Sequence, residues 1–447
     1  MTGHRFATRT AALIAAALLS AACGSGGSGS DGPAVGGPDE QSPVTIELWS
    51  FFTEREKGVV DGVLKDFEAE YPWITVKHVG GQSDETVLQA ARGGTAPDLS
   101  LSGQSDAGSS YCSSGVFDDL TQRIADDGID VEQFLPGSAR YTTSGDIRCA
   151  FPVLADVYGL YYDPELLAEA GFDQPPKTWT ELTEMAKALT IRSADGTIER
   201  AGFVPLMDFG QNGANKFTTG WDLTWYDPDG KPQMSADPRW AEMLEWQKGL
   251  VDWYGYDNLQ RFVAGLGAEF SAENPFQTGQ VAMAVDGEWR VAFVDDQSPD
   301  LNYSVAPIPA VDPSTYGSGY IGGTLVGMLK GGDHPDAAWL LTRYLAADTD
   351  ALVALTLGLR NIPSTTDSQA DPRVAGVAQF DALIDIAAHP ASDSVPGTAA
   401  GAAPNEIIAQ FVQTWQSGNV PDLDDGLAEL ASQVDLQIKQ SAGGNAP

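Results

Sequence analysis

The chain contains few histidines and cysteines, and neither type is arranged as a metal site. Its 447 residues include four His, at positions 4, 78, 334 and 389, and three Cys. The sequence has no His-Glu-x-x-His motif, no Cys-x-x-Cys motif and no dense group of these side chains, which zinc sites normally show. The Gly-x-Ser-x-Gly and Walker motifs are also absent. We therefore expect no metal and no cofactor.

Basic residues are scarce as well. The chain has 25 Lys and Arg against 62 Asp and Glu, a formal net charge of −37. This charge opposes binding of nucleic acid or anionic lipid, because their phosphates attract cations. It leaves two explanations open: solubility in a salty or acidic exterior, and attraction of a cationic ligand. Apolar residues make up 43% of the chain, enough for the cores of two or three compact units.

The apolar run at residues 11–19 is too short to cross a membrane, which takes about 20 residues. It follows the basic residues His4, Arg5 and Arg9, a pattern typical of a secretory signal. The run leads into Leu-Ser-Ala-Ala-Cys, ending at Cys23, which resembles a bacterial lipobox. This motif predicts a signal peptide over 1–22, lipidation of Cys23, and a Gly/Ser-rich tether over 23–42. The alternative is a signal cleaved elsewhere.

The two remaining cysteines are Cys112 and Cys149. An even number of cysteines in an exported protein favours a disulfide between them. Two free thiols remain the alternative.

Strand and helix patterns alternate along the first hundred residues, beginning with the strand VTIELWS at 44–50. Such alternation predicts an α/β fold with mostly parallel sheets and crossover helices. Ligands of these sheets bind beyond the carboxyl ends of the strands. The loops at 50–54 and 102–106 follow two predicted strands, and we expect both to face one crevice.

The apolar and aromatic segment 149–167, CAFPVLADVYGLYYDPELL, predicts a strand that is interrupted by one acid, Asp156. Burying even a neutral polar group without a partner costs about 2 kcal/mol or more. Asp156 therefore either pairs internally or faces a cleft. Asp163, Pro164 and Glu165 then predict the start of a helix. We interpret the segment as a strand crossing between two lobes past a binding cleft; an ordinary core strand is the alternative.

Aromatic residues are concentrated at predicted loop ends. Aromatic faces beside carboxylates and amides suit a neutral polyol, because the ring stacks on C–H groups while hydroxyls form hydrogen bonds. The alternative for each ring is a place in a core. The residues are Trp49, Phe51, Phe52, Tyr158, Trp221, Trp225, Trp289 and Tyr320.

Several segments together resemble the family 1 extracellular solute-binding proteins of bacterial ABC importers, which include sugar-binding lipoproteins. They are VTIELWSFFTEREKGVVDGVLKDFEAEYP, PDLSLSG with GVFDDLT, VYGLYYDPELLAEAGFDQPPKTWTEL, FQTGQVAMAVDGEW and YIGGTLVGMLKGGDHPDAAWLLTRYL. The resemblance implies a periplasmic-binding-protein-like α/β fold, with two lobes of mostly parallel sheet flanked by helices and joined by hinge strands. We place the lobes at 43–153 plus 306–346 and at 154–305 plus 347–441.

The resemblance also implies ligand contacts. Asp156 falls where maltose-type binders hold sugar hydroxyls, Trp289 is the stacking aromatic, and the Gly322–Gly323 turn lets backbone approach the solute. The other implied contacts are Trp49, Phe52, Glu54, Gln104, Asp106 and Arg360. Tyr158 and Tyr320 are added from their aromatic chemistry. Trp221 and Trp225 also rest on chemistry alone, because residues 202–236 depart from the maltose-binding pattern.

The function predicted from these features is that of a monomeric, non-catalytic receptor. It captures a sugar or oligosaccharide between two lobes and delivers it to an ABC permease, while a lipid anchor holds it to the outer face of the cell membrane. Two alternatives stay open: a secreted glycoside hydrolase or lyase, and a receptor for a polyamine or peptide.

Overall fold

The computed structural model describes residues 42–444; the predicted signal peptide, Cys23 and residues 24–41 of the tether lie outside this range. The strands are β1 (Val44–Ser50), β2 (Ile74–Val79), β3 (Leu99–Ser102), β4 (Thr143–Ser144), β5 (Ile147–Arg148), β6 (Ala150–Tyr162), β7 (Ile191–Arg192), β8 (Ile198–Phe203), β9 (Val281–Gly287), β10 (Ser304–Ala306), β11 (Ile321–Met328) and β12 (Ile362–Pro363).

The helices lie between these strands and form the carboxyl-terminal part of the described range. They are α1 (Glu54–Glu70), α2 (Asp84–Gly93), α3 (Gly108–Ser113), α4 (Thr121–Asp127), α5 (Pro136–Arg140), α6 (Pro164–Glu169), α7 (Trp179–Leu189), α8 (Ala214–Phe217), α9 (Arg239–Tyr254), α10 (Tyr256–Ala264), α11 (Arg290–Gln297), α12 (Pro335–Ala347), α13 (Thr349–Leu359), α14 (Thr366–Gln369), α15 (Phe380–Ala388), α16 (Ala403–Gln416) and α17 (Leu423–Gly444), with short 3-10 turns at Ser105–Ala107 and Val131–Gln133.

The main sheet has the strand order β2-β1-β3-β11-β6-β9-β8-β7, with β10 and β12 also paired to β6. The pairs β1–β2, β1–β3 and β8–β9 are parallel. The pairs β3–β11, β6–β11 and β6–β9 are antiparallel. The edge pair β7–β8 is antiparallel as well. The prediction of mostly parallel sheets is therefore correct only for β1 to β3 and for β8 with β9, and the sheet as a whole is mixed.

Strand β6, 13 residues long, is shared by two half-sheets. Its first part pairs with β11 up to Val157, opposite Ile321. Its second part begins with Tyr158, which pairs with Gly287 of β9. The first half-sheet is therefore β2, β1, β3, β11 and the start of β6, and the second is the end of β6 with β9, β8 and β7. Asp156 lies just before the change of partner.

Helix α6 begins as the sequence predicts. Asp163 accepts hydrogen bonds from the backbone N–H groups of Glu165 (2.8 Å) and Leu166 (3.1 Å), and Pro164 occupies the first helical position. The capping side chain satisfies donors that have no partner inside the helix. The chain therefore turns sharply away from the sheet immediately after β6.

Each half-sheet has its own hydrophobic core. In the first, Ile46 and Leu48 of β1 pack with Phe67 of α1, and all three are fully buried. In the second, Trp179 of α7 and Trp240 of α9 pack over β8 and β9. Burying each such side chain contributes about 1.5–3 kcal/mol relative to leaving it exposed. The separate cores allow residues between the half-sheets to remain accessible.

A disulfide joins Cys112 of α3 to Cys149, the residue before β6, with the two Cα atoms 5.5 Å apart. The bond closes a loop with a sequence separation of 37, for which loop-closure entropy gives about 4 kcal/mol of stabilisation. It ties the loop after β3 to the start of the shared strand.

The described residues form one compact unit by their contacts. The predicted lobe boundaries therefore stay a prediction. Within residues 42–444, no helix combines the length and apolar character needed to cross a membrane.

Candidate ligand-binding site

Two adjoining pockets share the lining residues Gly103 and Asp156 and together form one cleft. The larger, of about 620 Å³, we call the aromatic pocket; it is lined by Phe51, Phe52, Thr53, Glu54, Arg55, Glu56, Gly103, Asp156, Gln211, Phe270, Trp289, Phe293, Thr324 and Asn361. The smaller, of about 380 Å³, we call the tyrosine pocket; it is lined by Gly103, Gln104, Ser105, Asp106, Asp156, Tyr158, Asn215, Lys216, Tyr320, Gly322, Gly323, Ala402, Asn405, Glu406 and Ala409.

Most of the predicted contact residues meet in this cleft. The loops after β1 and β3 both reach it, as expected for the carboxyl ends of neighbouring parallel strands. The predicted residues that line it are Phe52, Glu54, Gln104, Asp106, Asp156, Tyr158, Trp289, Tyr320, Gly322 and Gly323. Their ligand contacts remain a prediction.

Trp221 and Trp225 lie away from both pockets, in the core of the second half-sheet. Trp221 stacks on Trp179 with ring centroids 5.3 Å apart and planes at 20°. Trp225 meets Trp240 edge-on, also at 5.3 Å. Each is 6% exposed. We correct their assignment to the ligand site: their large apolar surface is used for helix packing.

Trp49 and Arg360 also lie outside the two pockets. The Trp49 indole N–H donates to the Glu47 carboxylate at 2.7 Å, on the opposite side of β1 from Leu48, since side chains alternate along a strand. Arg360 ends helix α13 with φ of 63°, and its Nε lies 3.7 Å from an Asp295 oxygen. We therefore leave both out of the candidate site.

Asp156 and Asn361 form the floor of the aromatic pocket, and a second acid, Glu288, supports them from behind. The Asn361 side-chain amide donates to Asp156 Oδ1 at 3.2 Å and to Glu288 Oε1 at 2.5 Å. Glu288 is fully buried behind this floor, and its other oxygen accepts from the backbone N–H of Val157 at 2.7 Å. The group brings together β6, the end of β9 and the segment before β12, and each partner fixes the orientation of the others.

Burial perturbs both acids. It raises the pKa of Asp156 to about 6, although Lys216, Asn361 and Glu288 oppose the shift. Burial and the nearby Asp156 charge raise the pKa of Glu288 well above its usual range. Of the two acids, Glu288 therefore holds its proton to the higher pH, and near neutral pH the negative charge lies on Asp156. The floor thus presents a charged acceptor whose position is fixed from behind.

The walls of the aromatic pocket carry two pairs of rings. Phe51 and Phe52 follow β1, with ring centroids 4.1 Å apart. Phe270 and Phe293 form a second pair at 5.5 Å. Phe270 is 56% exposed, so its ring presents apolar surface to the pocket. Trp289 completes the wall and meets Tyr158 edge-on at 5.5 Å.

A Ser–His–Asp row lies outside the cleft. His78 Nε2 is 2.7 Å from the Ser50 hydroxyl, and its Nδ1 is 2.7 Å from an Asp61 oxygen. Ser50, however, is only 1% exposed, and burial lowers the pKa of His78. A substrate cannot reach the hydroxyl in this arrangement, so the row serves to satisfy buried polar groups.

Residues 53–351 match the profile of the bacterial extracellular solute-binding proteins. The chain belongs to this family. The resemblance noted in the sequence is thereby confirmed for more than half of the chain.

Two relatives of this solute-binding protein are also named as binding proteins. A binding protein of Brucella abortus is 26% identical over 300 residues, covering 63% of this chain and 67% of that protein. A protein of Deinococcus radiodurans named as an ABC transporter-binding protein is 24% identical over 302 residues, covering 66% and 69%.

Solved structures confirm the fold of this solute-binding protein. CpMnBP1 with mannotriose bound has a TM-score of 0.77 at 24% identity, covering 88% of this chain and all of that one. The sugar-binding protein MalE of Xanthomonas citri has a TM-score of 0.72 at 22% identity, covering 89% and 98%. The GacH receptor of Streptomyces glaucescens, solved unliganded and with acarbose, has 0.71 at 23%, covering 90% and 99%. The predicted periplasmic-binding-protein-like architecture is thus present.

Several residues of the site were missed by the sequence analysis. Glu288 immediately precedes Trp289, and Asn361 immediately follows Arg360, so both are neighbours of predicted positions. Nothing in the local pattern indicates that their side chains meet Asp156, which is 205 residues from Asn361. Lys216 lies in the four-residue helix α8 and Phe270 lies in the irregular segment after α10, and neither segment is long enough for periodicity to give a signal.

The buried acid pair predicts a pH dependence of stability. Both acids bind a proton more tightly in the folded protein, where their pKa values are raised, than in the unfolded chain, where they lie near 4. Their contribution is therefore complete below about pH 4 and is lost as pH rises through about 6 and above. We expect denaturant unfolding to show a steeper loss of stability from pH 5 to pH 8 in the native protein than in Glu288→Gln.

The exposed Glu429 offers a matched control for this measurement. Glu429→Gln removes the same charge from the surface and should keep the native pH slope. Equal slopes for Glu288→Gln and the native protein would show that burial does not raise the pKa of Glu288.

Proposed function

We propose that this solute-binding protein captures a neutral sugar or oligosaccharide in the cleft and delivers it to an ABC permease without catalysis. The observation that carries the proposal is the acid–amide floor of Asp156 and Asn361, supported by Glu288, between aromatic walls. Charged acceptors and amide donors bind hydroxyls, while rings cover the C–H faces of a sugar. The cleft volume also suits a ligand of this class.

The geometry of the acid pair opposes the glycoside hydrolase alternative. Hydrolases place the sugar between two carboxyl groups that stand about 5–10 Å apart. Here the Asn361 amide donates to both Asp156 and Glu288 and so bridges the two carboxyl groups. Glu288 is also fully buried, so a glycosidic bond cannot reach it.

A thermal-shift panel tests the proposed function. The panel contains manno- and malto-oligosaccharides, spermidine and short peptides, each with the purified chain that follows the tether. A ligand at 100 times its dissociation constant stabilises the native state by about 2.7 kcal/mol, so we expect an oligosaccharide to raise the melting temperature by several degrees. A shift with spermidine or peptide alone, or chromatographic evidence of sugar cleavage, would overturn the proposal.

The attachment to the membrane is a further part of this proposal. The lipobox-like sequence ending at Cys23 supports lipidation of that residue, which would hold the receptor at the outer face of the cell membrane. We propose that the anchored receptor is a monomer. A Cys23→Ser variant that still fractionates with membranes would contradict it.

Trp289→Ala is expected to weaken binding of the sugar found in the panel by about 2 kcal/mol, or roughly 30-fold. The loss follows because a central aromatic anchor is removed from the pocket wall. Isothermal titration calorimetry measures it, and Trp253→Ala is the control, since Trp253 is 39% exposed and lies outside the cleft. Unchanged affinity in Trp289→Ala would remove Trp289 from the site.

A further inference from the structure

Lys216 places an ammonium group inside the tyrosine pocket. Its Nζ lies 4.3 Å from the ring centroids of both Tyr158 and Tyr320. Within the described range, Nζ forms no hydrogen bond and no salt bridge, although the acids Asp156 and Asp106 stabilise its charge from nearby. The ammonium is thus held by two ring faces and by longer-range attraction alone.

This arrangement has the composition of a cation-binding cage. Tyrosine faces attract alkylammonium groups, and the attraction grows when water is excluded. Both rings are almost fully buried, Tyr158 at 5% exposure and Tyr320 at 4%. Asp106 is held in place by the Asn405 amide at 2.8 Å. A choline or polyamine headgroup would find both rings and negative charge here if the lysine were absent.

We propose that Lys216 is an internal occupant of this cage and excludes cationic solutes from the cleft. The lysine acts in two ways: its ammonium fills the space between the rings, and its charge repels a second cation. Specificity achieved by repulsion of the wrong ligand is a general device of binding proteins. The inference rests on the proposed function, because it explains how an acidic receptor with aromatic walls selects a neutral sugar over an amine.

The direct test uses choline, whose charge does not depend on pH, and isothermal titration calorimetry. We expect Lys216→Met to bind choline at least tenfold more tightly than the native protein. Lys216→Arg keeps the cation and should behave as the native protein does. Combining Lys216→Met with Tyr320→Leu should abolish the gain, because one wall of the cage is then lost. Equal choline affinity in Lys216→Met and the native protein would overturn the inference.

A second arm needs no substitution. Burial lowers the pKa of Lys216 to about 8, with Asp156 and Asp106 opposing the shift. The neutral amine neither repels choline nor is attracted to the ring faces, so choline can displace it, and the native protein should begin to bind choline as the pH is raised from 7 to 9.5. The other titratable groups that line this pocket are Asp106, Asp156, Tyr158, Tyr320 and Glu406, and Glu288 lies behind Asp156. The tyrosines stay neutral because burial raises their pKa values.

Glu288 also loses its proton at raised pH, so its effect on choline binding must be distinguished from that of Lys216. The Lys216→Met variant does this because it keeps Glu288 and lacks the lysine. A rise in choline binding of the same size in Lys216→Met would assign the effect to Glu288 and overturn this arm. If no sugar stabilises the native protein, the proposed function is wrong. If the native protein binds sugar but Lys216→Met gains no affinity for choline, only the inference about Lys216 is wrong.

Discussion

Asp156→Ala is expected to weaken sugar binding by about 3 kcal/mol, or roughly a hundredfold, and to leave the protein folded. Hydrogen bonds to a charged group contribute about 1.5–3 kcal/mol each, and Asp156 is the charged acceptor shared by both pockets. The fold should survive because the carboxylate faces the cleft and because its burial is itself unfavourable, as its raised pKa shows. Calorimetry with the sugar from the thermal-shift panel and circular dichroism melting measure the two effects.

Asp156→Asn is the matched control for this prediction. It keeps the shape of the side chain and one oxygen acceptor, so we expect an intermediate loss of affinity. If Asp156→Ala failed to fold, the alternative interpretation of β6 as an ordinary core strand would be correct. If it folded and bound sugar normally, Asp156 would have no role in the ligand site.

Gly323→Ala is expected to destabilise the protein by about 3 kcal/mol or more. The φ of Gly323 is 142°, a backbone conformation that is strained for every residue except glycine. An added Cβ would lie 2.1 Å from the backbone oxygen of Leu154 on the neighbouring strand, and 2.8 Å from the Tyr141 hydroxyl. Because Leu154 is held in the sheet, neither atom can move away cheaply. Urea unfolding should therefore show a much lower midpoint.

Gly322→Ala is the control, and it distinguishes two neighbouring glycines that lie within strand β11 and not in the predicted turn. Its added Cβ would meet Tyr320, Ser105 and Asp156 only at ordinary contact distances, 3.4–3.6 Å. We expect near-native stability and reduced sugar affinity, since the methyl group would enter the tyrosine pocket. From the sequence, both glycines are predicted to allow close approach of the solute. Gly323 is required by the packing of β11 on β6, and close approach of the solute stays a prediction for Gly322, which lines the tyrosine pocket. Similar unfolding midpoints for the two variants would refute this division.

Local patterns were sufficient for much of the architecture. The acid within an apolar strand correctly indicated a position beside a cleft, and Asp163 with Pro164 correctly predicted the start of α6. The loops after β1 and β3 meet at one edge because parallel neighbours align their carboxyl ends. The orientation of the central strands could not be obtained in this way, since hydrophobic alternation is the same in parallel and antiparallel pairs.

The positions of the aromatic rings could not be predicted from local sequence patterns. Trp289 and Trp225 are the same residue type near predicted loop ends, but only Trp289 faces the cleft. Helix α9 buries Trp225 against Trp240, and this packing depends on how distant segments meet. Composition therefore indicates that a chain contains rings suited to sugar binding, and the tertiary fold decides which of these rings line the cleft.

The sequence by itself determined much of the order of strands and helices, the acid at the centre of β6 and the family, whereas the export signal stays a prediction. These properties depend on neighbouring residues or on motifs within one segment. Only the tertiary structure decided that Asn361 and Glu288 hold Asp156, and that Lys216 fills the space between Tyr158 and Tyr320. Those contacts join residues up to 205 positions apart, and their energies come from burial and charge in a shared space that no single segment encloses.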